Sequence, residues 1–428
     1  MKPLFIISSP FNTYSGYGAR SRDIIKAIIA TEKYDVKLIS QRWGNTPFGF
    51  CKDNSEWSNL LELSIPPQVN SKPDIWMQIT IPSEFQSIGK YNIGVTAGIE
   101  TTLSPGEWVE GINRMDLNLV SSNHSKNTFL STILEKKDKN GNILGKVKVE
   151  KPIEVLFEGA NTDVYKSQNT PCSLDIQIKE DFAYLFVGHW MQGDMGEDRK
   201  NIGLLIKAFY ETFKNKAKKP ALILKTTQVG SSYTDRDEIL RKINLIKDTV
   251  KSNDLPNVYL LHGEFTDDEM NEIYNHSKVK AMISLTKGEG FGRPLLEFSL
   301  SKKPIIVSGW SGHMDFLDEK FNTFLGGILT NVHQSSANQF LLPESQWFSP
   351  DHMQINQVLK DVFENYKKYI DGGKRQAYKS RKEFSWEAMK DLLSSLLETN
   401  IPEFPTQIEL KIPQLKKVES PKIEKVNG

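Results

Sequence analysis

Lys287-Gly288-Glu289-Gly290-Phe291-Gly292-Arg293-Pro294-Leu295-Leu296-Glu297 is the stretch that decides the fold. Before it runs an apolar segment, Val279 to Leu285, interrupted only by Lys280 and Ser284, which reads as a buried strand. The three glycines make a tight turn whose backbone can approach a ligand closely. Pro294 suits the first turn of a helix, and Leu295, Leu296, Phe298 and Leu300 continue it with an apolar face. Strand, glycine turn and helix N-terminus together form a site for an anionic group such as a phosphate. Glu289 and Glu297 bracket the turn, and a carboxylate can accept two hydrogen bonds from paired hydroxyls. The chemistry implied is a sugar nucleotide lying over a helix N-terminus.

The bulk of the chain sets the context. Its 428 residues exceed one ordinary core and predict two domains or more. A net charge of +1 supplies no strong field for a bare polyanion, though it leaves room for a local patch. Cys51 and Cys172 lie far apart and match no metal spacing, so reduced thiols are expected. The N-terminal apolar run, Leu4 to Ile7, is too short for a signal peptide or a membrane span. A cytoplasmic location is the expectation.

Glu289, seven residues, then Glu297, with Gly-Phe-Gly-x-Pro between them, resembles the retaining glycosyltransferases of GT-B fold, the superfamily of glycogen synthases and lipid mannosyltransferases. That resemblance implies two Rossmann-like α/β domains facing a central cleft, with a C-terminal helix crossing back to the first domain. It further implies that Glu289 meets the transferred sugar and Glu297 the ribose. The amides of Gly290, Phe291 and Gly292 would meet sugar and phosphate. The expected division is residues 1–165 as the acceptor-side domain, 166–180 as linker and 181–384 as the nucleotide-sugar domain. Residues 385–400 would form the crossing helix and 401–428, rich in Pro and Lys, a flexible tail.

Around this centre the chain supplies further candidates. Strand Leu4 to Ser8 leads through a polar loop to Gly16-Tyr17-Gly18 and a helix from about Ala19 to Ala30. A dinucleotide fingerprint would need a third small residue and an acid after the next strand, and neither is in place. The resemblance gives Gly16 and Gly18 a place facing the diphosphate, with Arg20 as a phosphate or acceptor contact. Glu100 follows the strand Tyr91 to Gly98 where many superfamily members carry a histidine; it orients the acceptor hydroxyl or stabilises the reacting centre, or else it caps the next helix. His124 reads as structural, with Ser125 and Thr128 suited to helix capping.

Residues 135–151 hold six lysines around Asn140-Gly141, a hairpin signal, diluted by Glu135, Asp138 and Glu150. A solvated hairpin is the better reading than a phosphate-binding one. In the second half, strand Phe182 to Val187 precedes His189, where the family places an arginine, and Arg199-Lys200 opens the helix Ile202 to Phe213. By the resemblance, His189 lies at the diphosphate, and Arg199 and Lys200 neutralise it as it leaves. Asp235-Arg236-Asp237 looks like a metal-binding triplet but sits where a helix begins, so it reads as capping and no metal is required. Gly263 and Phe265 fall where the family lays the nucleotide base, and Thr266 with Glu269 reads as a capping box. Gly309 to Leu317 resembles a further family turn, and Met353 to Tyr369 reads as one helix.

The reading is a metal-independent hexosyltransferase-like enzyme without cofactor, whose donor substrate is a nucleotide diphosphate sugar. A carbohydrate or glycolipid is the expected acceptor. A modified base of DNA is the alternative, and a non-catalytic sugar-nucleotide-binding or structural protein the second. Base, sugar and acceptor rest on a few loop side chains and stay open at this level.

Overall fold

A computed structural model describes residues 2–404 except 70, 139, 169–171 and 229; the expected tail therefore lies largely outside the described residues. The chain opens with β1 (Leu4–Ser9), α1 (Gly16–Ala30) and β2 (Asp35–Ser40), then two short helices, α2 (Phe50–Asp53) and α3 (Asn59–Glu62). Next come β3 (Ile75–Ile79), β4 (Tyr91–Thr96), α4 (Gly106–Ile112), β5 (Leu117–Val120) and α5 (Asn123–Ser131). The hairpin β6 (Leu134–Lys137) and β7 (Ile143–Val147) precedes β8 (Ile153–Val155). Six of these strands form one parallel sheet, in the order β2-β1-β3-β4-β5-β8.

A second parallel sheet follows from β9 (Ala183–Val187), α6 (Ile202–Phe213), β10 (Ala221–Lys225), α7 (Tyr233–Asp248), β11 (Val258–Leu261) and α8 (Asp267–Asn275). It continues through β12 (Val279–Ser284), α9 (Arg293–Ser299), β13 (Ile305–Ser308) and β14 (Thr323–Leu325), in the order β11-β10-β9-β12-β13-β14. Both sheets are buried on two faces, which is why their strands read as near-continuous apolar runs. In each, the first strand lies between two later ones, and the loops at its carboxyl end sit at a topological switch point where such sheets bind ligands.

Beyond the sheet lie the antiparallel pair β15 (Gly327–Asn331) and β16 (Gln346–Pro350), then α10 (His352–Glu364), α11 (Ile370–Glu383) and α12 (Trp386–Asn400). The last helix crosses back as expected: Met389, Leu393 and Leu397 are buried in the core of the first sheet beside Ile24 and Ile28 of α1. The chain passes between the halves twice, at Ala160 and at Ser385, and the two passages pair as a β-bridge.

Several local expectations hold. Thr266 and Glu269 form the capping box of α8, and β6 and β7 pair across the Asn140-Gly141 turn. Others need correction. α1 begins at Gly16, not Ala19, because Ser15 caps it by accepting from the Gly18 amide at 2.9 Å. The cap of α5 is Ser122 rather than Ser125 or Thr128. Asp235 lies in the first turn of α7, but Ser232 is the cap; the Asp235 carboxylate accepts from the Gln228 amide and faces His262 at 2.9 Å.

Met353 to Tyr369 is not one helix, since α10 ends at Glu364 and α11 follows. Gly372 and Gly373 both lie inside α11. Their Cβ atoms would run into the backbones of Phe321 and Lys302, so the helix packs where only glycine fits. Residues 41–71 hold the two short helices α2 and α3.

Candidate active site

The glycine turn forms as its sequence suggests. Gly292 takes a left-handed conformation (φ 96°) as the N-cap of α9, and Pro294 occupies the first turn. Glu289 and Glu297 are both largely buried, at 7% and 8% exposure. The Phe291 ring is buried against Phe316, with centroids 4.9 Å apart, so only its backbone is available to a ligand.

The turn is held against the first half of the chain. A Cβ on Gly288 would overlap the Glu100 carbonyl oxygen, and one on Gly290 the Ala97 carbonyl oxygen. Ser121 Oγ donates to the Gly290 carbonyl at 3.1 Å, and Asp315 accepts from the Asn123 amide at 2.7 Å. β16 adds a brace that the sequence did not announce. Phe348 N donates to the Lys287 carbonyl at 2.9 Å, and Thr102 N donates to the Gln346 carbonyl at 2.9 Å.

Glu289 is the electrostatic centre. Lys200 Nζ lies 2.5 Å from its Oε1 and Arg199 NH1 lies 3.4 Å from its Oε2. Burial opposes charge on Glu289, but Lys200 and Arg199 outweigh it and hold the carboxyl down at about 2. Arg199 also donates to the Gly288 carbonyl at 2.7 Å and lies 3.7 Å from Glu100 of the first half. Its guanidinium is therefore turned toward two carboxylates and the glycine turn rather than offered to a diphosphate. Lys200 uses one of its three N–H groups on Glu289. Glu100 does not cap α4, whose N-cap is Pro105 with no side-chain cap bond; the carboxylate instead faces Arg199 across the cleft.

His189 lies at an exposed position, with Nδ1 2.9 Å from Thr227 Oγ1; desolvation first, then Lys200 and Lys225, push its pKa down. Lys225, at the end of β10, stands 5.5 Å from the Phe265 ring centroid and near Glu264 and Glu297. Gly263 adopts φ 134° just after β11, with open space at its Cβ position. A cation closing a strand is the signal by which the sequence marks Lys225.

On the opposite wall, Gly16 has open space at its Cβ position, but Gly18 is packed against the Thr13 carbonyl oxygen and serves the close approach of loop and helix. Tyr17 between them bonds Thr96 Oγ1 and the Ala97 amide, each at 3.0 Å, and stacks on Trp43. Arg20 does not face the cleft: it is 5% exposed and donates to the Phe157 and Leu156 carbonyls. His124 is part-buried with its ring edge on Trp310, and burial, with His313 second, lowers its pKa to about 4.

Glu297 lies one turn into α9. Arg293 Nε donates to its Oε1 at 2.8 Å and the Tyr274 hydroxyl to its Oε2 at 3.2 Å. Burial lifts its carboxyl to about 7 against the pull of Arg293. Among the described residues, no group of three or more His, Cys, Asp or Glu side chains could hold a metal ion, and no helix is long and apolar enough to cross a membrane.

The sequence matches no family model and no curated protein. Solved structures do match along almost its whole length. HepE of Anabaena, in complex with UDP and glucose, is 13% identical over 93% of this chain and 100% of its own, with a TM-score of 0.60. The sucrose-phosphate synthase of Thermosynechococcus elongatus is 12% identical over 93% and 99%, with a TM-score of 0.59. A trehalose-6-phosphate synthase studied for glycosyl transfer with retention is 12% identical over 93% and 100%, with a TM-score of 0.58. With two parallel six-stranded sheets facing one cleft and a last helix returning to the first, the chain has the GT-B fold of these glycosyltransferases.

Proposed function

We propose that the protein is a retaining glycosyltransferase that moves a sugar from a nucleotide diphosphate sugar to an acceptor hydroxyl, most simply of a carbohydrate or glycolipid. The observation that carries this reading is Glu289, an ionised carboxylate held between Lys200 and Arg199 at a glycine turn, with Glu100 of the other half of the chain facing Arg199. HepE binds UDP and glucose on the same fold, which supports a nucleotide sugar as the ligand.

In this reading Glu289 accepts hydrogen bonds from the sugar hydroxyls and Glu297 from the ribose. The amides of Gly290 to Gly292 meet the phosphates at the start of α9. Lys200, with two N–H groups beyond its bond to Glu289, neutralises the diphosphate as the glycosidic bond breaks, with His189 and Lys225 beside it. Arg199 fixes Glu289 and Glu100 relative to each other. Glu100 orients the acceptor hydroxyl, and the leaving phosphate takes its proton as the new bond forms on the same face. The tight contact of Gly288 and Gly290 with the first half keeps water from the activated sugar. Residues 1–165 would then serve the acceptor and 181–384 the nucleotide sugar.

A thermal-shift screen of nucleotide sugars, followed by proton NMR of the product formed with the best donor, tests this. A rise in melting temperature and an anomeric configuration matching that of the donor are expected. No stabilisation by any nucleotide sugar, or an inverted product, contradicts it.

A further inference from the structure

One guanidinium serves both halves of the chain. Arg293, the first residue of α9, gives its Nε to Glu297 Oε1 at 2.8 Å, one helical turn on. Its NH1 lies 2.6 Å from Oδ2 of Asp23 in α1, on the other side of the cleft. All three side chains are sheltered, with exposures of 17% for Arg293, 13% for Asp23 and 9% for Glu297. Asp23 is itself fixed from the crossing helix, where Trp386 Nε1 donates to its carbonyl at 3.2 Å. Arg293 is therefore a fork with one prong in each half, and its planar geometry lets it hold two acids at once where a lysine would serve one.

We propose that Arg293 is a positioning residue that makes the aim of Glu297 depend on domain closure, through Asp23. The proposal rests on the reading of Glu297 as the ribose carboxylate. With Arg293 on one oxygen and Tyr274 on the other, each oxygen of Glu297 keeps capacity for one further hydrogen bond, which matches a pair of vicinal hydroxyls. Rotation about the Arg293 side chain would swing the carboxylate away from that pair. Asp23 blocks the rotation only while the two halves are together. Ribose recognition and closure are then linked, as any ligand that favours one conformation must link them. Without Asp23, the guanidinium still neutralises Glu297 but no longer fixes its plane.

The test uses the full-length chain and four nucleoside diphosphates, UDP, GDP, ADP and CDP, each paired with its 2′,3′-dideoxy analogue. Dissociation constants are measured by calorimetry for the native protein, Asp23→Asn, Arg293→Lys, Glu297→Gln and the Asp23→Asn/Glu297→Gln double variant. The native chain is expected to prefer the ribose form of its best nucleotide by about tenfold or more, as hydrogen bonds to a charged group imply. Asp23→Asn and Arg293→Lys should each erase most of that preference while leaving the dideoxy affinity within about twofold. In the Glu297→Gln background, Asp23→Asn should add nothing further.

A purely architectural role would instead weaken both nucleotide forms equally, or lower the melting temperature and leave the preference intact; either result overturns the inference. Should Asp23→Asn fail to fold, Arg293→Lys carries the same comparison. Binding of none of the four nucleotides overturns the proposed function first, and this inference with it.

Discussion

Lys200 Nζ and Glu289 Oε1 stand 2.5 Å apart, with side-chain exposures of 12% and 9%, at the point where the glycine turn meets the start of α6. A pair so sheltered contributes little net stability, but stranding one partner costs about 3–5 kcal/mol. Lys200→Met is therefore expected to lower stability by an amount in that range, whereas breaking an exposed pair such as Arg241–Glu238 should leave stability nearly unchanged. Urea denaturation of both variants separates the two cases.

Glu289→Gln keeps the shape of the side chain and removes the charge that Lys200 and Arg199 are arranged around. Turnover should fall by about 10²–10³-fold, the loss typical of one preorganised electrostatic contact. Steady-state assays with the best donor, at matched folded fraction, check the figure.

The pH dependence has a defined sign. Glu297 has a folded pKa raised to about 7 by burial. The folded state therefore holds a proton there that the unfolded chain has lost. Stability from this group is complete below the ordinary carboxylate range and lost as pH rises through about 7. The native chain should accordingly lose stability relative to Glu297→Gln from about pH 5 to about pH 8, read from denaturation midpoints. Nucleotide affinity should move the other way, improving as the carboxylate ionises.

Gly288 and Gly290 report on closure. A methyl group on either meets a carbonyl oxygen of the opposite half, at Glu100 or Ala97. Gly290→Ala should hold the halves apart at a cost of about 1–3 kcal/mol. Small-angle scattering is expected to show a larger radius of gyration than for the native chain.

How much of this was legible in the sequence depends on the range of the contacts. The strand, glycine turn and helix around Glu289 were readable because every determinant lies within a few residues of the next. Arg20 was misread as facing a ligand because nothing local reveals that its guanidinium is spent on the Leu156 and Phe157 carbonyls. The contact of Arg293 with Asp23 was invisible too, since the two lie 270 positions apart. The reason for Gly372 and Gly373 inside α11 is equally non-local, since it lies in the backbones of Phe321 and Lys302 packed against them. β15 escaped notice because most of its residues are exposed, leaving no buried-exposed alternation to read.

The central claim, that Glu289 grips the transferred sugar, is tested most directly by comparing a nucleotide sugar with its own nucleoside diphosphate in a calorimeter. The native protein should bind the sugar form about 10–100-fold more tightly than Glu289→Gln does, the worth of hydrogen bonds to a charged acceptor, while both bind the bare diphosphate alike. Equal loss of affinity for both ligands, or no loss for either, would contradict the account.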